Sequence, residues 1–245
     1  IEDVYRKEGE VADVVFAAIR RFEILLRTRF SYFYGERVGS GWNLVRGEGL
    51  ASPSGIDRSD VGAHVLRDLN RSKEAFVGRY RDDREVDGHG VFTVDAYRDL
   101  PVWVAAEVLS FGVLSRCVEA SVDSGVLNDI AGSINVSKSI LPGQIKSLVY
   151  LRNRIAHHAR IWNHSVLDAP ALPGGRKARK RIGREYGKFD PRSVYCILVV
   201  LDVLLKRASL EGDWFCSEIA PRLADNRFLD RGIRYPRKYG EMDLS

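Results

Sequence analysis

The stretch 142-PGQIKSLVYLRNRIAHHARIW-162 decides the reading of the chain. A proline has no N–H to leave unbonded, and the first turn of a helix leaves its N–H groups unbonded anyway, so Pro142 suits a helix start. At 100° per residue, Leu148, Leu151, Ile155, Ala159 and Trp162 fall within about 80° of one another, one core-facing stripe. The spacing predicts a helix running to about Trp162. Asn153, His157 and Arg160 fall together on the opposite side, at i,i+4 and i,i+3 separations. Arg152 sits at the shoulder. His158 flanks the apolar stripe beside Leu151, which reads as a packed, hydrogen-bonded histidine.

The same period governs the rest. Val11, Val15, Ile19, Phe22, Leu26, Phe30 and Phe33 predict a helix over Glu8 to Tyr34, in which Glu23 and Arg27 stand in the favourable order for an intrahelical ion pair. Gly35 to Pro53 reads as a loop, Asp60 to Tyr80 as a less regular helix, and Asp87 to Gly90 as part of a charged connector. Pro101 opens one long helix, PVWVAAEVLSFGVLSRCVEA, apolar on several faces and therefore central. A short helix near Leu127–Ala131 follows. Pro170, Pro173 and Gly174-Gly175 predict a loop, and the basic tract from Arg176 to Lys188 reads as loop or marginal helix. Further helices run from Pro191 to Leu205 and from Asp213 to Leu223. Alternating strand patterns are rare. The expectation is an all-α chain, one domain over 1–245 with a basic loop insert at about 168–190.

Hydrophobic residues at 45% and charged residues at 29% are ordinary for a globular protein. Cys117, Cys196 and Cys216 are far apart, odd in number and set in apolar helical surroundings, so they read as reduced core thiols. No cysteine/histidine spacing suits zinc, and His157, His158 and His164 do not converge on one face, so no metal or other cofactor is expected. The most apolar run, Val194 to Leu205, is interrupted by Asp202 and too short for a bilayer. The charged first ten residues are no signal peptide; a cytoplasmic protein without a membrane partner is expected. A start at Ile1 without methionine suggests a trimmed front.

Charge is unevenly spread. From Arg152 to Arg192, eleven Lys and Arg stand against three Asp and Glu, in a chain of net charge +5, so the remainder is net acidic. A basic stretch of this kind attracts polyanions, because binding phosphates releases condensed counterions; a solvated surface loop is the plainer explanation.

Arginine, asparagine and histidine on one helix suit a particular chemistry. Imidazole exchanges protons near neutrality, guanidinium binds phosphate bidentately and stabilises charge on its oxygens, and an amide positions either partner or a ribose. Together they fit RNA cleavage in which the 2′-OH attacks the adjacent phosphorus. No carboxylates accompany them as metal catalysis would require. One histidine does not readily serve as both base and acid, so a composite site across a two-fold homodimer is implied. Taken alone, this spacing is weak evidence, since a helical histidine is usually structural.

LRNRIAHHARIWNHSV resembles the signature of the abortive-infection AbiD/AbiF-like family of bacterial phage-defence proteins, Arg-Asn-x-x-Ala-His-His-x-Arg-x-Trp-Asn. Arg152, Asn153, Ala156, His157, His158, Arg160, Trp162 and Asn163 all match. AIRRFEILLRTRFSYFY resembles the family's early helix, with Glu23 and Arg27, and LPVWVAAEVLSFGVLSR its Pro-x-Trp…Glu-x-x-Ser-Phe-Gly segment, so the likeness covers about Val11 to Val166. The family's further upstream helical segment has no counterpart here, and the insert Arg176 to Lys188 is not part of its motif. The resemblance implies a HEPN-like helical bundle with additional helices, whose Arg-x4–6-His motif maps to Arg152 with His157 or His158. The Arg-Asn-x-x-x-His form, similar to that of RNA-guided type VI CRISPR effectors, favours His157.

The expected function is therefore a phage-defence toxin, a metal-independent endoribonuclease with Arg152, Asn153, His157 and His158 as catalytic residues. Arg160, Lys177, Arg179, Lys180, Arg181 and Arg184 would contact RNA. The expected partners are RNA, including a small structured noncoding RNA of the kind associated with some relatives, and a second copy of the chain. The alternative is a non-catalytic RNA-binding or dimerisation module. Trp162 is expected in the core.

Overall fold

Thirty-six residues, Glu2–Arg37, form one helix, α1, longer at both ends than its apolar period alone predicts. A computed structural model describes residues 2–51 and 60–236. Among them all regular structure beyond two isolated bridges is helical, so the chain is all-α. The chain divides into two compact units, Glu23–Ser133 and a second made of Ile1–Phe22 with Ile134–Ser245, and α1 contributes to both.

The unit Glu23–Ser133 holds the latter part of α1, α2 (Gly41–Val45), α3 (Val61–Arg71), α4 (Ala75–Gly78), a 3-10 turn (Val94–Tyr97), α5 (Val102–Val108), α6 (Phe111–Ala120) and α7 (Val126–Ser133). Its core is built on Leu26, Phe30, Tyr34, Leu69, Tyr97, Phe111 and Leu114. The single helix expected from Pro101 is two. Leu109 turns extended, and the Ser110 side chain accepts the Val113 N–H at 3.3 Å, starting a new helix. The helix expected over Asp60 to Tyr80 is likewise broken, at the extended Ser72.

The first part of the expected Gly-rich loop contains α2; from residue 52 that loop lies outside the described residues. Gly41 donates its N–H to the Leu100 carbonyl at 2.8 Å, and a Cβ there would meet that oxygen at 2.7 Å. Only glycine permits so close an approach. The Glu23–Arg27 pair forms at 2.6 Å, but Arg27 also donates to the carbonyls of Ala106 and Glu107. Those oxygens end α5 without helical partners, so the arginine ties α1 to the end of α5.

In the second unit are the first part of α1, α8 (Leu141–Ala156), α9 (Arg176–Glu185), α10 (Val194–Arg207), a π-helical turn (Phe215–Ile219) running into α11 (Ala220–Ala224), and α12 (Arg227–Arg234). The basic tract, expected as loop or marginal helix, is helical as α9. α12 has no counterpart in the sequence reading. α8 and α12 both pack on α10, which is apolar all round and almost wholly buried.

α10 starts at Val194, three residues after Pro191, because the Ser193 side chain accepts the Cys196 N–H at 3.2 Å. Its one acidic residue, Asp202, is fully buried. It accepts from the Tyr186 hydroxyl at 2.5 Å and the Phe215 N–H at 3.0 Å, and pairs with Lys206 at 2.8 Å. A buried carboxylate requires such partners.

All three cysteines are free. Cys117 and Cys196 are buried as expected, and burial pushes both thiols up, Cys196 to about 12. Cys216 is not a core thiol: it faces outward from the π-helical turn. Among the described residues no helix is long and apolar enough to cross a membrane.

Candidate functional site

α8 stops at Ala156, six residues short of Trp162. The stop is a Schellman arrangement: the His158 N–H donates to the Ile155 carbonyl at 2.9 Å and the Ala159 N–H to that of Arg154 at 2.8 Å. It requires a left-handed residue after the C-cap, and His158 takes it at φ 53°. Glycine is the usual occupant, and histidine is among the side chains that adopt this region more readily than most. With neither glycine nor proline to mark it, the end is invisible to helical periodicity.

The early stop corrects three placements. Ala159 and Trp162 belong to no helical stripe, and Trp162 is half-buried, not in the core. Arg160 does not share a helix face with His157. His158 is exposed, not packed.

The segment after the helix is fixed from several sides within its unit. Glu8 of α1, 7% exposed, accepts the backbone N–H groups of both Ile161 and Trp162 through one oxygen, at 2.6 and 2.7 Å. The Trp162 indole N–H donates to the Phe228 carbonyl at 2.9 Å, and the ring lies so close to α12 that a Cβ at Gly232 would collide with it. Asn163, also left-handed at φ 50°, donates its N–H to the Gly232 carbonyl at 3.2 Å. Arg154 donates to the Arg160 carbonyl across the turn. The Tyr150 hydroxyl is hydrogen-bonded to His164 Nε2, and the two rings stack with centroids 6.0 Å apart. Burial first, and the cations Arg154 and Arg160 next, hold the His164 imidazole below its ordinary 6.5, so it is neutral at neutral pH.

Around this scaffold stand the predicted site residues. Arg152 is half-buried and donates to the Asn153 Oδ1 at 3.1 Å. Asn153, His157, His158 and Arg160 are exposed. His157 is the C-cap of α8, one turn beyond Asn153, to whose carbonyl its N–H donates at 3.0 Å. Arg152, Asn153 and His157 thus share the last turn of α8, with His158 at its exit. The Arg160 guanidinium lies 5.7 Å from the centre of the Trp162 ring. Lys177, Arg179, Lys180, Arg181 and Arg184 are all exposed along α9, and none is ion-paired among the described residues.

Glu8 is the supporting residue that the sequence reading missed. It lies three positions before Val11 and seven before Val15, on the apolar stripe of α1, and a carboxylate on a buried stripe requires donors. That signal was available. The Tyr150–His164 pair, fourteen residues apart across an irregular turn, gave none.

Among known proteins, a family model described as Abi-like protein matches residues 1–163. No curated protein and no solved structure matches the chain.

Proposed function

The chain belongs to the Abi-like protein family, whose name points to abortive-infection defence against phage, and from that premise we propose a metal-independent endoribonuclease of HEPN type. The supporting observation is the last turn of α8. It presents Arg152, Asn153 and an exposed His157 together, just before a segment that Glu8 and Trp162 hold in place.

In the proposed reaction His157 exchanges a proton with the ribose or with the leaving oxygen. As base, an imidazole takes the 2′-OH proton while the 2′-oxygen bonds to phosphorus. As acid, a second imidazole protonates the 5′-oxygen as the P–O5′ bond breaks, leaving a 2′,3′-cyclic phosphate. Arg152 binds a non-bridging oxygen and stabilises the charge that develops there. Because the Asn153 carbonyl oxygen already accepts from Arg152, its amide NH2 is turned to the donor role toward ribose or phosphate. A homodimer joining two such turns supplies the second imidazole. The exposure of His158 favours a second reading, in which both imidazoles come from one chain. The cations of α9 hold RNA, either the substrate or a structured noncoding RNA.

The test is incubation of the purified protein with RNA in EDTA, followed by analysis of the ends. Cleavage leaving 2′,3′-cyclic phosphates is expected, with a loss of roughly 10²–10⁴-fold in His157→Ala, the usual scale of general acid–base catalysis. Intact RNA that is nevertheless tightly bound in a salt-sensitive way makes the chain a binding module instead.

A further inference from the structure

α9 borders an open cleft of about 520 Å³ in the same unit, lined by residues from both ends of its neighbouring segments. That volume lies within the roughly 300–1,000 Å³ of small-ligand sites. Its apolar surface includes Ile182, Phe189, Pro191 and Tyr235, and its cations are Arg179 and Lys188. The walls are tied together. The Tyr235 hydroxyl donates to the Lys188 carbonyl at 2.7 Å, and the Asp190 N–H to that of Arg234 at 3.0 Å. Phe189 leans on Tyr195 with centroids 5.2 Å apart.

Arg179 lines this cleft together with Lys188, whereas Lys177, Lys180, Arg181 and Arg184, at 100° per residue, share another face of α9. Phosphates met by Arg179 and Lys188 would lie at the mouth of the cleft, which offers ring surface and apolar contact but no acidic group. Those are the requirements for holding an unpaired base beside a neutralised backbone. We infer that the cleft formed by α9, Phe189 and Tyr235 takes an unpaired nucleobase of a single-stranded RNA segment whose neighbouring phosphates are met by Arg179 and Lys188.

The inference rests on the RNA reading above and adds a site away from the end of α8. It gives the basic helix a preference for unpaired over duplex RNA, since a paired base is not free to enter. It requires no sequence specificity, because every base has a π face.

Gly183 offers a clean test. It lines the cleft in the middle of α9, and a Cβ there would meet nothing within 4 Å. Gly183→Leu therefore adds bulk at the cleft, leaves every cation in place, and suits a helix better than glycine. Binding of a single-stranded oligouridylate is compared with that of an abasic ribose-phosphate oligomer of equal length, by fluorescence anisotropy with catalysis disabled by His157→Ala. The unsubstituted cleft is expected to favour the base-bearing strand about tenfold, within the range of stacking one base. Gly183→Leu and Tyr235→Ala should each bring it down to the abasic level and leave abasic binding unchanged.

Equal binding of both oligomers, or a tenfold preference that survives both substitutions, overturns the base site while leaving RNA binding by α9 intact. Failure of both oligomers to bind at low salt overturns the RNA reading and the base site together.

Discussion

The segment leaving α8, with Arg160, and the helix α9 both carry exposed arginine in the same unit, yet they are built in opposite ways. The segment from His157 to His164 has almost no regular structure, but Glu8, Tyr150, Arg154, Phe228 and Gly232 fix its course. α9 is a regular helix with little holding it. It begins at Gly175 without a side-chain cap, and Ile182 is its one buried residue. Its attachments lie at and just past its end, where Glu185 pairs with Lys206 of α10 and Tyr186 reaches Asp202. Regularity and fixity are thus separate properties. The proposed in-line chemistry needs closely held side chains. The pinned backbone from Ile161 to Asn163 fixes the exit of the turn that carries Arg152, Asn153 and His157. Attraction of phosphates by charge tolerates looser placement, so a row of cations on a lightly held helix would suffice for the RNA contact proposed.

Breaking the fixed segment should have the largest effect. Glu8→Ala leaves one buried and one half-buried N–H group without an acceptor, at about 1–3 kcal/mol each. Urea titration should show a loss of about 2–5 kcal/mol, with RNA cleavage falling in parallel. A loss within 0.5 kcal/mol would mean that water replaces the carboxylate and that the segment is not pinned as described.

The lightly held helix should respond differently. Replacing Lys177, Lys180 and Arg181 together by glutamine removes three exposed charges that have no ion-pair partner among the described residues. Stability should stay within about 0.5 kcal/mol. The slope of log affinity for single-stranded RNA against log salt should become shallower by about 2, at about 0.7 per phosphate contact. An unchanged slope would remove α9 from the binding surface.

The smallest effect sharpens the comparison at its most strained point. His158 bears a side chain in the left-handed region, so His158→Gly should raise the unfolding free energy by about 0.5–1 kcal/mol. Cleavage should persist if the composite site across two chains is correct. Loss of cleavage in this more stable variant would transfer the second proton-exchanging role to His158 itself.

Helical periodicity made the all-α class legible, together with α1, the body of α8 and the apolar α10. What it did not reveal were the interruptions. Ser110 and Ser193 reset helix starts by accepting one N–H each, and a serine in an apolar run has little effect on a 3.6-residue period. The stop at Ala156 depended on a histidine adopting a conformation usually left to glycine.

At the candidate site the wheel grouped Asn153 with His157 correctly, because the C-cap still lies one turn on. It misplaced His158, Arg160 and Trp162, because it ran a helix through the turn. Glu8 was readable as a charge on a buried stripe. The contacts of Trp162 with Phe228 and Gly232 were not, since they join residues more than sixty positions apart.

The most direct test of the division between fixed scaffold and exposed chemistry measures His157→Ala twice on one preparation, for its unfolding midpoint and for its release of 2′,3′-cyclic phosphate ends from RNA in EDTA. His157 is exposed, and its backbone N–H survives the substitution. An unchanged midpoint with cleavage lost by at least a hundredfold is the predicted result. Cleavage that continues at the original rate, or a midpoint that collapses along with it, would contradict the account.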